Sequence, residues 1–365
     1  MKKLLFVAQN MAVGGVQTSL VNLLNEICAG GEYEVHMFTF APGVLLDQVP
    51  EQVRVTCGGK VLRLSATPFW QVLRSANPVD IVLRIWLILW ARLRGSRHVY
   101  EWMLRKYQKE EAYDIAVSYF NDIPVGYFNK GTNQYVLDYV RAEQKVAWFH
   151  TDPVVGNFDP AYCRDLYEHY DKIVCVSQAV KSRFDTFLPE FANRTAVFYN
   201  RFPEEKIRML AQEYEPFAQE GYHIVTVARV DNATKRIDEM VRLCRKLKED
   251  GVVGFYWHIV GDGPDRAANE MLAKKLGVSD LIRFEGEKKN PYPYVKKADL
   301  FALYSAYEGF PMVVGEAQAL GTPILTTNYA AAQEQVDPDR GVIAKTDEIF
   351  YRELKDKILR FFAEK

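Results

Sequence analysis

The chain of 365 residues is most informative first in what it lacks. It has no net charge to speak of: 46 Lys and Arg stand against 47 Asp and Glu, leaving a formal charge of -1. A molecule so balanced has no overall field to collect nucleic acid or another polyanion, and any such attraction must be local. Cysteine is scarce and scattered. Cys28, Cys57, Cys163, Cys175 and Cys244 contain no C-x-x-C pair, which excludes a zinc site of that type and argues against a disulfide framework. A reducing cytoplasm is the expected setting. Long hydrophobic runs are missing as well. The apolar part of "MKKLLFVAQN" is too short for a signal-peptide core and reads as a first strand, and Ile85 to Ala91 falls far short of the roughly 20 residues that span a bilayer. The dinucleotide fingerprint G-x-G-x-x-G does not occur where a strand opens into a helix.

What is present is alternation. From about residue 220, β-branched and aromatic runs take turns with helical patterns: "HIVTVARV" then Ile237 to Lys248, "FYWHIVG" then Arg266 to Leu276, "LIRFEG" then Pro293 to Lys297, "DLFALYS" then Met312 to Leu320, "PILTTN" then Ala330 to Val336, and "GVIA". This order predicts right-handed βαβ crossovers and a parallel sheet covered on both faces. "KLLFVAQ", "YEVHMFTF", "YDIAVSYF", "KVAWFHT", "DKIVCVS" and "RTAVFYN" predict the same architecture in the first half. One insertion interrupts it at about 53–111. The fold class expected is therefore α/β, with two doubly wound Rossmann-like domains, residues 1–205 and 206–365, facing a cleft at the carboxyl ends of their strands. The charged helical stretch at about 200 to 220 is the expected hinge.

Four groups of residues point toward that cleft. In "YEGFPMVVGEAQALGTP", Pro311 suits a helix start and Gly321 its C-terminal cap, so Glu308, Gly309 and Phe310 fall in the loop at the helix N-terminus and Glu316 about one turn inside. Free N–H groups there favour an anionic or hydroxyl-rich ligand, and a carboxylate can accept two hydroxyls side by side. Arg229 ends one strand and Lys235 follows at the next helix, so two cations can converge on a diphosphate. Gly14 and Gly15 follow the first strand and permit close backbone approach to phosphate. His150 closes the strand "KVAWFH". Each group alone is equally compatible with solvated charges, an ordinary turn or a structural histidine.

Together, "GGVQTSL", "FHTD", "ARVDNATKRIDEM", "IVGDGPDR" and "LIRFEGEKKNPYPYVKKADLFALYSAYEGFPMVVGEAQALGTPILTTN" resemble the retaining glycosyltransferases of family 4, which have the GT-B fold and use nucleotide-sugar donors. The "NPYPY" and "EAQALGTP" wording is similar to that of enzymes building bacterial surface polysaccharides such as capsule. The resemblance implies that Arg229 and Lys235 bind the donor diphosphate, with Gly14 and Gly15 closing on it from the acceptor-binding N-terminal domain. It implies that Glu308, with the backbone of Gly309 and Phe310, holds the transferred sugar, that Glu316 takes the ribose hydroxyls, and that His150 stands beside the reacting sugar. The loop starting near Glu285 and Gly286 would cover the nucleobase. One position departs from the family pattern: Lys235 is followed by Arg236 where a glycine is usual, which predicts a turn of different shape.

The expected activity is transfer of a hexose-type sugar, with a UDP-sugar as donor, to a glycan or lipid-linked acceptor. No D-x-D pair stands in a strand-end loop where a metal-dependent transferase needs one, so no cofactor and no metal are expected. A non-catalytic nucleotide-sugar-binding subunit and a nucleotide-sugar epimerase are the alternatives. The insertion adds an expectation of its own. From Arg54 to Lys109 eleven Lys or Arg face only Asp80 and Glu101, and Trp86 and Trp90 lie among Arg84, Arg92, Arg94 and Arg97. Aromatic residues beside clustered arginines suit an anionic membrane surface, which places the protein in the cytoplasm at the inner face of the cell membrane.

Overall fold

A computed structural model describes residues 1–122, 128 and 131–364. The chain separates into two compact units, Met1–Arg201 and Phe202–Lys365. Each is a parallel sheet with helical crossovers, as the alternation predicts.

The strands of the first unit are β1 (Lys2–Asn10), β2 (Tyr33–Ala41), β3 (Arg54–Cys57), β4 (Ala112–Ser118), β5 (Arg141–Phe149), β6 (Lys172–Cys175) and β7 (Thr195–Val197). They lie in the order β3-β2-β1-β4-β5-β6-β7, and every pairing is parallel. Leu4 to Ala8 are buried consecutively rather than alternately, as befits a central strand covered on both faces. The strand order reverses between β1 and β4, which is where such a sheet opens a crevice at its carboxyl edge.

The insertion is smaller than the expected 53–111. Arg54–Cys57 pairs with β2 as the edge strand, because its "RVTC" has the β-branched character the sheet accepts, so the inserted part begins only after it. It consists of the helices Lys60–Ala66, Phe69–Arg74, Pro78–Arg94 and Ser96–Leu104. The third of these starts where Asn77 accepts from the amides of Val79 and Asp80 with Pro78 in its first turn, and Gly95 at φ 83° ends it.

The second unit has β8 (Tyr222–Val227), β9 (Phe255–Val260), β10 (Ile282–Gly286), β11 (Leu300–Leu303), β12 (Ile324–Thr327) and β13 (Gly341–Ala344), in the order β10-β9-β8-β11-β12-β13. Its reversal falls between β8 and β11. The helix Ile237–Glu249 turns Ile237, Met240, Val241, Cys244 and Leu247 onto the sheet at helical spacing, where they join Ile224, Trp257 and Ile259 in one core.

The boundary between the units falls at Arg201 and Phe202, at the start of the stretch expected to be a hinge, and the rest of that stretch packs on the second unit. Phe202 packs so closely on Gly315 that a Cβ there would stand 2.3 Å from its ring. Arg208 Nε donates to the Ala319 carbonyl at 3.0 Å, Asn290 Nδ2 donates to the Leu210 carbonyl at 2.8 Å, and Phe217 stacks on His223 with centroids 4.0 Å apart. Its charges lie outward with Met209 and Tyr214, while Ile207 and Ala211 are buried.

Candidate active site

The second sheet reverses between β8 and β11, and two of the expected residues, Lys235 and Glu308, meet beyond the ends of those strands. The short helix Asn232–Lys235 follows β8, and the loop 304–311 follows β11. Lys235 Nζ donates to Glu308 Oε1, which the Ser305 hydroxyl also engages at 2.7 Å. The Lys235 and Glu308 side chains are only 19% and 12% exposed, so the pair is shielded from most of the screening that weakens surface ion pairs. Lys235 stands at the end of a helical turn rather than at the start of the next helix, because Arg236 adopts φ 51° and breaks the helix between them. Arg229 is exposed just beyond β8, and among the described residues no hydrogen bond or ion pair engages its side chain. One cation of the expected pair is thus occupied and the other open.

A glycine-dependent layer backs this loop. A Cβ on Gly261, whose φ is 149°, would stand 1.9 Å from the Ala228 carbonyl oxygen, and one on Gly263 would stand 2.2 Å from that of Val230. The bare backbone lets Val230 N donate to the Asp262 carbonyl at 3.0 Å while Asp265 Oδ2 accepts from Asn232 N at 2.7 Å. "IVGDGPDR" therefore builds the bed on which Arg229 and Lys235 rest.

Gly309 is buried and Phe310 half-buried ahead of the helix Met312–Leu320, whose N-terminus has no side-chain cap. Its first-turn N–H groups point where an anion or hydroxyl would be stabilised. Glu316 is buried deeper in this helix, and the Tyr292 hydroxyl donates to its Oε1 at 3.4 Å. Burial pushes its carboxyl up to about 7, against a smaller opposite pull from Tyr292.

Glu285 has a different setting. His258 Nδ1 lies 2.8 Å from its Oε1, the Tyr294 hydroxyl donates to Oε2 at 3.0 Å, and the hydrogen bond to His258 holds its carboxyl below the usual range. The chain continues inward through His258 Nε2 and His223 Nδ1 at 3.0 Å to the Gln219 carbonyl, which accepts from His223 Nε2 at 3.0 Å. The Glu285 side chain is thus spent on an internal network. Gly286, at φ 75°, carries the carbonyl that accepts from Gly261 N at 2.9 Å.

In the first unit, Gly14 precedes the helix Gly15–Gly30, which also lacks a side-chain cap. Gly43, after β2, packs against this loop, since a Cβ there would be 2.2 Å from the Met11 carbonyl carbon. His150 follows β5, with its Nε2 donating to the Tyr119 carbonyl at 2.8 Å and its amide to Asn121 Oδ1 at 3.3 Å. That bond fixes the tautomer with the proton on Nε2 when the ring is neutral. Tyr119 is held in turn by Ser19, with the two hydroxyls 3.1 Å apart.

In the insertion the structure corrects one assignment. Arg84 is 8% exposed and its guanidinium lies over the Phe128 ring at 4.6 Å, so it cannot reach a surface. Arg92, Arg94 and Arg97 are exposed. Among the described residues one group has metal-ligating geometry, Glu34, His36 and Glu111. Lys3 Nζ stands 2.7 Å from Glu111 and 3.8 Å from Glu34 and supplies the positive charge. The group lies toward the amino ends of β1, β2 and β4, away from the crevice edge.

Comparison with known proteins bears on the fold. Residues 211–365 match the family described as glycosyl transferases group 1. An uncharacterised glycosyltransferase of Methanocaldococcus jannaschii is 20% identical over 65% of the chain and 61% of its own length. A Campylobacter jejuni 4-alpha-N-acetylgalactosaminyltransferase, named for a diphospho-undecaprenol substrate, is 25% identical over 49% of the chain and 48% of its own length. The chain thus spans less than two thirds of either relative. Among solved structures, Anabaena HepE in complex with UDP and glucose superimposes over 99% of the chain and 90% of its own, with a TM-score of 0.67 at 16% identity. WaaG, a glycosyltransferase involved in lipopolysaccharide biosynthesis, covers 98% of the chain and 90% of its own with a TM-score of 0.62, also at 16% identity. The fold is GT-B.

Proposed function

We propose that the protein is a retaining, metal-independent glycosyltransferase that moves a hexose-type sugar from a nucleotide-sugar donor, a UDP-sugar, to a glycan or lipid-linked acceptor in cell-surface polysaccharide synthesis. The observation that carries this reading is the Lys235–Glu308 contact at the point where the second sheet reverses, with Arg229 just after the β8 strand that borders it. Lys235 and Arg229 supply preorganised positive charge for a departing diphosphate, the largest catalytic term in many enzymes. Glu308 passes from Lys235 to the sugar hydroxyls when the phosphates take over the ammonium. Glu316 accepts the ribose hydroxyls, and its deep burial sharpens that preference because an unpaired carboxylate there is costly. Gly14 and Gly15 offer backbone amides to the donor, Gly309 and Phe310 do so for the sugar, and His150 is assigned to the reacting sugar. Glu285 acts through the shape of its loop.

In the reaction the bond from the anomeric carbon to the leaving phosphate breaks, and the bond to the acceptor oxygen forms on the same face. The acceptor's proton passes to the leaving phosphate oxygen. Incubation with a panel of nucleotide sugars tests this: slow release of free sugar and nucleoside diphosphate without acceptor, surviving EDTA, is the expected result. Dependence on added manganese would overturn the metal-independent form, an epimerised donor would identify an epimerase, and an unchanged donor would identify a binding subunit.

The acceptor side includes an anionic membrane surface. Among the described residues no helix is long and apolar enough to cross a membrane. The helix Pro78–Arg94 instead turns Val79, Val82, Trp86, Leu89 and Leu93 outward in one stripe, between 47% and 82% exposed. Trp86, Trp90 and Trp102 cluster there with centroids 5.0 to 6.0 Å apart, and the exposed Arg92, Arg94 and Arg97 lie between Trp90 and Trp102 in the sequence. A second copy would bring like charge against like charge, whereas anionic lipid complements both the arginines and the apolar stripe. Sedimentation with anionic vesicles should be salt-sensitive and lost when the three arginines become glutamate. Absence of binding at low salt would sink the assignment.

A further inference from the structure

The turn that presents Lys235 is made by a residue poorly suited to it. Arg236 has φ 51° and ψ 41°, the left-handed region in which a Cβ costs energy that glycine does not incur. What holds it there is its side chain. Arg236 Nη1 and Nη2 donate side by side to Asp347 Oδ1 and Oδ2 at 2.9 and 2.7 Å, and the guanidinium lies over the Tyr304 ring at 4.3 Å.

Both anchors belong to fixed parts of the second unit. Asp347 is the first residue of the helix Asp347–Ala363, whose start is pinned by Thr346 Oγ1 accepting from Ile349 N at 3.2 Å. Tyr304 is buried, packs on Phe350 of that helix with centroids 4.4 Å apart, and immediately precedes Ser305, whose hydroxyl engages Glu308. The same short stretch of β11 and its loop therefore orients both members of the Lys235–Glu308 pair. It fixes Glu308 through Ser305 and the backbone of Lys235 through Arg236. A planar guanidinium in a two-pronged contact, stacked on an aromatic face, fixes orientation in a way an ammonium cannot.

We propose that Arg236, held by Asp347 and Tyr304, is a positioning residue that sets the loop of Lys235 so that its ammonium meets Glu308 and, in the bound state, the phosphates of a nucleoside diphosphate. The second half of this rests on the donor-site reading given above. Glycine at this position would permit the turn without defining it; the arginine defines it by a tether 111 residues away along the chain.

Two measurements separate the clamp from that reading. In the ligand-free protein, Arg236→Gly, Arg236→Lys and Asp347→Asn should each speed hydrogen exchange at the amides of Lys235 and Arg236, while protection in the helix Ile237–Glu249 and the midpoint of unfolding stay near wild type. Unchanged exchange at those two amides overturns the clamp whatever the ligand. Calorimetric titration with UDP and with GDP then tests its consequence. The three variants should weaken binding of whichever nucleotide the wild type takes by roughly 2- to 12-fold, less than Lys235→Ala. The double variant of Arg236→Gly with Asp347→Asn should lose no more than either alone. Loss in Lys235→Ala with wild-type affinity in Arg236→Gly overturns the clamp. Wild-type affinity in Lys235→Ala overturns the donor-site reading instead.

Discussion

The two crevice edges of this molecule are built from the same sheet topology with different materials. In the second unit the edge between β8 and β11 is a set of charges held by one another: Lys235 with Glu308, Arg236 with Asp347, and Arg229 standing open. In the first unit the edge beyond β4 and β5 also holds buried carboxylates, Asp122 and Asp152, the latter paired with Arg183, but the groups that hold His150 are neutral: the Tyr119 carbonyl on its ring, Asn121 on its amide and Ser19 on Tyr119. A diphosphate would be stabilised by the first arrangement, whose fixed positive charge needs little reorganisation. Under the proposed function a hydroxylic acceptor would be selected around His150 by shape and hydrogen-bond direction.

The contrast can be broken most forcefully at the charged edge. Lys235→Ala and Arg229→Ala should each weaken nucleoside diphosphate binding by about ten- to a hundredfold, since a charge-assisted contact contributes roughly 1.5–3 kcal/mol, with the folded state intact by circular dichroism. Wild-type titration curves for either would remove that residue from the site.

Glu316→Gln gives a smaller effect with two opposite signs. The folded protein binds a proton at Glu316 more tightly than the unfolded chain does, because burial raises its carboxyl to about 7. Its contribution is therefore unfavourable to folding above the unfolded value, growing as pH rises from about 4.5 to about 7 and constant beyond. At pH 8 the glutamine variant should be more stable than wild type by about 2–3 kcal/mol, the difference fading toward pH 5, while its donor Michaelis constant rises. Denaturant melts across that range decide it; a variant less stable at pH 8 would mean the carboxylate is better satisfied than its single tyrosine suggests.

The surroundings of His150 should respond least to nucleotide. His150→Ala is expected to lower turnover while nucleoside diphosphate affinity stays within about twofold, the separation of reacting-centre from ground-state contacts. Equal losses in both would show that the two edges do not divide the work as proposed.

How far these edges could be read in the sequence follows from distance along the chain. The strands announced themselves by consecutive burial-prone runs, and Arg229, Lys235, Glu308 and Glu316 by their places after strands and inside a helix. Ser305, Tyr292 and Gly261 were present in the quoted runs, yet a serine three residues before a glutamate, or a glycine after a valine, carries no local sign of what it will touch. Arg236 and Asp347 are 111 positions apart, and only the folded sheet brings them together. The same limit explains the insertion. Composition revealed its excess of basic residues, but which of them point outward depends on helix packing, and Arg84 turned inward over Phe128.

The tryptophan cluster gives the protein its own optical label. Of six tryptophans, Trp148 and Trp257 are buried in the two sheets and Trp70 is partly covered, so the indoles that water reaches most readily are Trp86 and Trp102 with Trp90 between them. Emission that a collisional quencher such as iodide can reach therefore comes chiefly from one patch of one unit. Without any added dye, a shift of that emission to shorter wavelength would register the moment this patch leaves water.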